Sequence, residues 1–182
     1  MMNKKLCLVF LSFLISNPLF SQELVIGDER IEPGIKIIFE GAIKDIVYPK
    51  SINLNEGLTN VHIEARVNWD FIDVPEGTPK GGFVPYMKIT ATVTNRKTGL
   101  KTFIDLIPHI NLVDNFHYAR NIALPGKIDD FYDVEFNVNP PGQYELSLHK
   151  DWVDTFSKVL FDKKNFSYEK ISFFEIAKAT RR

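Results

Sequence analysis

Cysteine and methionine are nearly absent from this sequence, and their scarcity limits the metal chemistry open to the protein. The single cysteine, Cys7, lies in an apolar run near the N-terminus, and Met87 is the only methionine beyond Met1 and Met2. Without cysteine, the main part of the chain has no disulfide bonds and relies on packing, helped by any ion that it binds. A metal site in it must use nitrogen and oxygen donors, which suit copper(II), iron(II), zinc or manganese and disfavour copper(I).

The chain also lacks an excess of basic residues and has no long apolar run beyond its N-terminus. Lysine and arginine number 22 against 23 acidic residues, so no nucleic-acid partner is expected. Leu6 to Ile15 is too short to span a bilayer, but Lys4 and Lys5 before it and Ser21 after it are typical of a signal peptide. We predict cleavage after residue 21, a periplasmic protein without membrane insertion, and a single domain over residues 22–182.

Alternation of polar and apolar residues is the main structural signal in the predicted domain. From Asn60 to Trp69 every second residue is apolar, which predicts a strand with one face on the core. His62 and Glu64 then lie side by side on the polar face, about 6.8 Å apart at about 3.4 Å per residue. The same pattern around Met87 places that side chain in the core.

Short strands separated by turns, with no long amphipathic helix, predict an all-β fold, an immunoglobulin-like antiparallel β-sandwich. We expect an edge hairpin or bent strand over Gly34 to Tyr48 and a strand that Pro108 ends. Later strands are expected over Tyr144 to His149 and Phe166 to Ala177, with Asp151 to Lys164 either helical or irregular.

Histidines supply the candidate site. His109 and His117 lie at the two ends of a short polar segment, and His62 precedes Glu64 by two residues on the clearest strand. Imidazoles and a carboxylate presented by a β scaffold favour metal ligation, so His62, Glu64, His109 and His117 are the predicted ligands. Each also has a simpler interpretation, as a solvated side chain, a surface ion pair or a loop cap. His149 has the weakest case, since it only lies on the outward face of a predicted strand.

These segments resemble the periplasmic proteins associated with ferrous-iron permeases, which carry the Tpd domain. The similarity runs from Ile26 to Phe173. The resembling words are HIEARV (62–67), GGFVPYMKITATVTNRKTG (81–99), LIPHINLVDNFHYARNI (106–122) and GQYELSL (142–148). The resemblance implies an immunoglobulin-like sandwich, usually a homodimer, that binds copper or iron beside a membrane iron permease.

In that family the metal lies between a histidine and a glutamate on one strand, a methionine after a proline, and a histidine before a tyrosine. His62, Glu64 and His117 match this pattern, whereas His109 stands in the place of the methionine. The chain departs from the family by lacking a later loop histidine. It also has Asp45 to Tyr48 in place of a motif that supplies a second, iron-associated site.

We therefore predict a periplasmic metal-binding protein of a high-affinity iron-uptake system, with copper or iron bound and zinc as a further possibility, and not an enzyme. Two alternatives stay open. His-x-Glu with a distant histidine is also the 2-His-1-carboxylate pattern of non-haem iron oxygenases, although the chain is short for that barrel. The other is a metal-free immunoglobulin-like module for binding or assembly, with its histidines on the surface.

Overall fold

A computed structural model describes residues 23–180, so the predicted signal peptide lies outside the described residues. These residues form eight strands and two short helices. The strands are β1 (Glu23–Ile31), β2 (Ile35–Ala42), β3 (Val61–Trp69), β4 (Lys88–Asn95), β5 (Lys101–Asn111), β6 (Asn115–Ile122), β7 (Phe131–Asn139) and β8 (Lys164–Ser172). The helices are α1 (Lys150–Thr155) and α2 (Phe174–Lys178).

Every neighbouring pair of strands is antiparallel, in the order β1-β2-β3-β6-β5-β4-β7-β8. The strands form two layers, one of β1, β2, β3 and β6 and the other of β4, β7 and β8. The long strand β5 belongs to both layers, because its residues up to Leu106 pair with β4 and those from Ile107 pair with β6. At the outer edges, the Tyr168 hydroxyl on β8 donates a hydrogen bond to Glu29 on β1 at 2.7 Å. The sheet thus nearly closes into a barrel, and the predicted all-β antiparallel fold is confirmed.

The core fills the space between the layers with the apolar faces of the strands. On β3, the predicted alternation holds, with Val61, Ile63, Ala65 and Val67 fully buried. Met87 is buried as predicted. Such burial is the main stabilising contribution in a domain without disulfide bonds.

Two strand predictions need correction in the first part of the domain. The edge strand is β1, which the sequence pattern missed, so β2 lies inside the sheet. Pro108 does not end β5, which continues to Asn111. Proline is tolerated there because this half of β5 pairs only with β6 and has a free edge on its other side.

The C-terminal part differs from prediction in two segments. Tyr144 to His149 is not a strand, because the Glu145 carboxylate accepts a hydrogen bond from the Gly142 amide at 2.7 Å and closes a turn. Of the segment expected to be helical or irregular, only the first residues form α1. The predicted last strand is β8, which ends at Ser172 and is followed by α2.

Residues 43–60, called the covering loop below, join β2 to β3 and contain one turn of 3₁₀ helix at Glu56–Leu58. The loop is fastened to β6 by side chains of that strand. Arg120 donates to the Ile52 carbonyl at 3.0 Å, and Asn121 donates to the carbonyls of Asp45 and Leu54. Within residues 23–180, no helix is long and apolar enough to cross a membrane.

Candidate metal centre

His62 and Glu64 lie on the β3 face that points away from the core, as the alternation predicts. The alternative interpretation of His62 as a solvated side chain is wrong, because His62 is only 3% exposed, and Glu64 is only 2% exposed. Residues of the covering loop line the same cleft as His62, His109 and His117. Two polar side chains that the sequence places at the surface are therefore buried side by side.

His109 and His117 come from the β5–β6 hairpin, where they are directly opposite each other in the strand register. They lie inside the strands, not at the ends of a loop as predicted. The turn itself is closed by Asn111, whose side-chain oxygen accepts hydrogen bonds from the Val113 and Asp114 amides at 2.8 and 2.6 Å. This is the local turn chemistry typical of asparagine, and it fixes the register that pairs the two histidines.

The sheet order brings these histidines to His62, since β6 lies between β3 and β5. The ring of His62 lies 5.3 Å from that of His109 and 6.3 Å from that of His117, measured between centroids. One nitrogen atom from each of the three rings lies within 4.8 Å of the others. The three predicted histidines thus form one cluster at a cleft of about 510 Å³.

Glu64 and His149 complete the set of candidates. Glu64 is not part of the group whose atoms all lie within 4.8 Å of one another, but its Oε1 lies 3.6 Å from His62 Nε2. It is therefore a neighbour of the three-histidine cluster on the β3 side. His149 is exposed just before α1 and takes no part in the cluster.

Burial shifts the protonation of two of these groups in opposite directions. Loss of hydration raises the pKa of Glu64 to about 8, with further increases from the charges of Asp114 and Glu40. Loss of hydration, followed by the other two histidines, lowers the pKa of His109 to about 4. Without a metal, Glu64 is thus protonated and His109 neutral at pH 7.

The outer nitrogens of two histidines are held by acceptors. His62 Nδ1 lies 2.7 Å from the side-chain oxygen of Asn121, and His117 Nδ1 lies 3.1 Å from the Asn115 carbonyl. His109 differs, because its buried Nε2 has no hydrogen-bond partner within the described residues. Sequence reasoning missed Asn121, although its spacing of four residues from His117 on one strand places both side chains on the same face.

This donor set fits a divalent transition metal. A buried nitrogen without a partner is costly in a metal-free protein, and it is relieved when a cation accepts its lone pair. Two ligands of a tetrahedral ion, each about 2.1 Å from it, lie about 3.4 Å apart, close to the 3.6 Å between His62 Nε2 and Glu64 Oε1. Three imidazoles and a carboxylate suit copper(II), iron(II) or zinc.

A second buried polar group lies on the same face, beside the cluster. Glu40 on β2 is opposite Glu64 in the register of β2 and β3, and it is only 1% exposed. Arg66 contacts both of its carboxylate oxygens at 2.7 Å, one through Nη2 and one through Nε. Glu40 therefore has a fixed positive partner inside the protein, whereas Glu64 has none of comparable proximity among the described residues.

Comparison with known proteins identifies a family and several solved structures that this chain resembles. The family profile described as Fe2+ transport protein matches residues 20–174. The copper-reconstituted P19 protein from Campylobacter jejuni is a structural neighbour with a TM-score of 0.67 and 26% identity, over 81% of this chain and 94% of that one. A copper-bound variant of FetP from uropathogenic Escherichia coli strain F11 has a TM-score of 0.67 at 21% identity, over 83% and 99% of the two chains, and supports the fold. A search of curated protein sequences finds no significant match.

Proposed function

Because this chain belongs to the Fe2+ transport protein family, we propose that it is a periplasmic metal-binding protein of a high-affinity iron-uptake system. The observation that carries the proposal is the three-histidine cluster, in which one nitrogen of each ring lies within 4.8 Å of the others. His109 adds a buried Nε2 that has no hydrogen-bond partner among the described residues. Copper and ferrous iron are the candidate ions, since P19 is copper-bound in solved structures and the family is one of Fe²⁺ transport proteins. Zinc fits the same donors.

In this proposal His62, His109 and His117 are the ligands, and Glu64 is an anionic fourth ligand or a hydrogen-bonding neighbour. Glu64 loses its proton when the ion arrives, because a nearby cation stabilises the carboxylate. The ion is cargo or a bound partner of transport, and the protein is not an enzyme. Protonation of the histidines in acid would release it, which gives the site a reversible cycle.

The proposed partners are a second copy of the chain and a membrane iron permease. Support for a homodimer comes from exposed apolar side chains in and near the cleft. Tyr48 and Ile110 line it, Leu112 and Val113 lie in the turn of the β5–β6 hairpin next to Ile110, and all four are exposed in the single chain. Exposed apolar groups clustered around a site are typical of interaction surfaces. Sedimentation of the purified protein measures the assembly directly, and a monomer would contradict the homodimer.

The metal proposal is tested by purifying the protein from periplasm, measuring its metal content, and titrating the metal-free form with copper(II), iron(II) and zinc. We expect one tightly bound equivalent. A His62→Ala, His117→Ala double variant should lose at least about 10⁴-fold in affinity. Each ligand contributes more than the roughly 10–100-fold that an outer-shell partner contributes.

The matched control is His149→Ala, which removes an exposed histidine outside the cluster and should bind metal as the wild type does. Wild-type binding no tighter than that of the double variant would contradict the proposal. The same titrations rank the three ions. Copper(II) should bind more tightly than iron(II), because affinity for nitrogen and oxygen donors increases from iron(II) to copper(II).

A further inference from the structure

Asn121 has a specific set of contacts that links a candidate ligand to the covering loop. Its side-chain nitrogen donates to the Asp45 carbonyl at 2.9 Å and to the Leu54 carbonyl at 3.0 Å. Its side-chain oxygen lies 2.7 Å from His62 Nδ1. Asn121 is 3% exposed, so these contacts are made away from bulk water.

The two loop carbonyls determine which way the Asn121 amide points. An amide nitrogen has two hydrogens and a carbonyl has none, so the nitrogen must face Asp45 and Leu54. The reversed orientation would put the amide oxygen against two carbonyl oxygens and bury three acceptors without a donor. The oxygen of Asn121 therefore faces His62.

From this geometry we infer that Asn121 is a positioning residue, which holds His62 in the tautomer with its proton on Nδ1. An amide oxygen only accepts, so His62 Nδ1 must carry the hydrogen. Its Nε2 then carries a lone pair in place of a hydrogen, and this is the atom that lies 3.6 Å from Glu64 Oε1. A histidine side chain in water favours the opposite tautomer, which would present a hydrogen to an incoming cation.

His117 reaches the same tautomer by a different route, since its Nδ1 lies against the Asn115 backbone carbonyl. Backbone acceptors are supplied by any sequence that makes the same turn, whereas the acceptor for His62 depends on one side chain. Asn121 also connects that ligand to two points of the covering loop, Asp45 and Leu54. The same amide thereby orients His62 and helps to fasten the loop.

The test compares Asn121→Ala, which removes the acceptor, with Asn121→Asp, which keeps an acceptor but removes both donors to the loop. The tautomer of His62 is read in metal-free protein labelled with ¹⁵N-histidine, from long-range ¹H–¹⁵N spectra. The chain has only four histidines, so single substitutions assign the signals. We expect Nδ1–H in the wild type and in Asn121→Asp, and loss of that single form in Asn121→Ala.

Copper(II) affinity is measured on the same proteins by competition with a chelator. Asn121→Ala should lose about 10–100-fold, the usual effect of removing a side chain that orients a ligand, whereas Asn121→Asp should stay close to the wild type. The matched control is Asn68→Ala, because Asn68 on β3 also donates to a backbone carbonyl, that of Gly81, at 3.0 Å. It should change neither readout.

The affinity part of this test rests on the proposed function, while the tautomer is measured without metal. A His62 tautomer that is unchanged in Asn121→Ala, or lost equally in Asn121→Asp, would overturn the positioning role. If Asn121→Ala does not fold, Asn121→Leu replaces it, because leucine has nearly the same size and also removes the acceptor for His62 Nδ1. The expected tautomers without copper binding by any variant would leave the positioning role standing and contradict the metal proposal.

Discussion

Glu40 and Glu64 are buried side by side on one face of the sheet, but they have different partners. Glu40 is held by Arg66, which contacts both of its oxygens at 2.7 Å. Glu64, directly opposite Glu40 in the strand register, lies beside His62 of the three-histidine cluster instead of beside a fixed cation. One group is closed within the chain, and the other is open to an external cation.

This difference shows which buried charges serve the fold and which are available for function. A buried carboxylate that pairs with an arginine needs no external ligand. Removing the arginine would leave the carboxylate buried without a counter-charge, which is destabilising. A buried carboxyl without a cation stays protonated, as the raised pKa of Glu64 indicates, and a neighbouring nitrogen without a partner adds to the cost. The open group gains most from binding a metal ion.

The largest expected effect is the pH dependence that Glu64 gives to the stability of the metal-free protein. For Glu64 the ordinary pKa is 4.5 and the folded value is about 8, so between these values the folded state holds one more proton than the unfolded state. Stability of the metal-free protein therefore decreases as pH rises through this window. Between pH 5 and pH 8 we expect the wild type to lose roughly 3 to 4 kcal/mol more than Glu64→Gln, measured by urea unfolding.

His109 changes the pH dependence of stability in the opposite direction to Glu64. Its pKa of about 4 lies below the ordinary 6.5, so stability is lost as pH falls through that range. This contribution is present in both proteins and cancels in their difference. Glu135→Gln, an exposed carboxylate on β7, is the control and should follow the wild type. Parallel pH curves for wild type and Glu64→Gln would mean that Glu64 is not held protonated.

The next largest effect is the loss of stability expected when Glu40 loses its partner Arg66. Arg66→Met keeps the length of the side chain and leaves Glu40 buried without its cation. The free energy of unfolding should fall by about 2 to 3 kcal/mol, below the 3–5 kcal/mol typical of fully buried pairs, because the Arg66 side chain is 33% exposed. Chemical denaturation at pH 7 measures the loss.

The control for Arg66→Met is Arg96→Met, which breaks an exposed ion pair with Asp133 and should cost at most about 1 kcal/mol. Copper(II) affinity of Arg66→Met is the second readout. It should stay close to that of the wild type, since Arg66 lies outside the three-histidine cluster. A variant as stable as the wild type would show that Glu40 does not depend on Arg66.

The smallest effect is expected from replacing His109, whose buried Nε2 has no hydrogen-bond partner among the described residues. His109→Met replaces the unpaired buried nitrogen by a thioether, so the metal-free protein should gain about 1 kcal/mol in unfolding free energy. Its affinity should shift from copper(II) towards copper(I), because the thioether is a softer donor than imidazole. His149→Met, at an exposed histidine, is the control. Lower metal-free stability with unchanged ion preference would contradict this description of His109.

Much of the fold and most of the candidate site could be predicted from sequence patterns. Alternation over Asn60 to Trp69 predicted β3 and the shared face of His62 and Glu64, because the side-chain period of a strand is fixed at two. Errors came where tertiary context overrides local signals. Pro108 reads as a stop but lies on a free strand edge, and Tyr144 to His149 alternates but is closed into a turn by Glu145.

The sequence by itself determined the donor types and the faces on which they lie. With no cysteine beyond Cys7 and one methionine in the domain, a metal site must use histidine and carboxylate, and strand periodicity orients His62 and Glu64 together. Only the tertiary structure decided that the polar face is buried and that Arg66 serves Glu40 instead of Glu64. The tertiary structure alone also placed the Asn121 side chain against His62 Nδ1. These features depend on the register between strands far apart in the chain and on a loop that folds over them, and neither is encoded in local spacing.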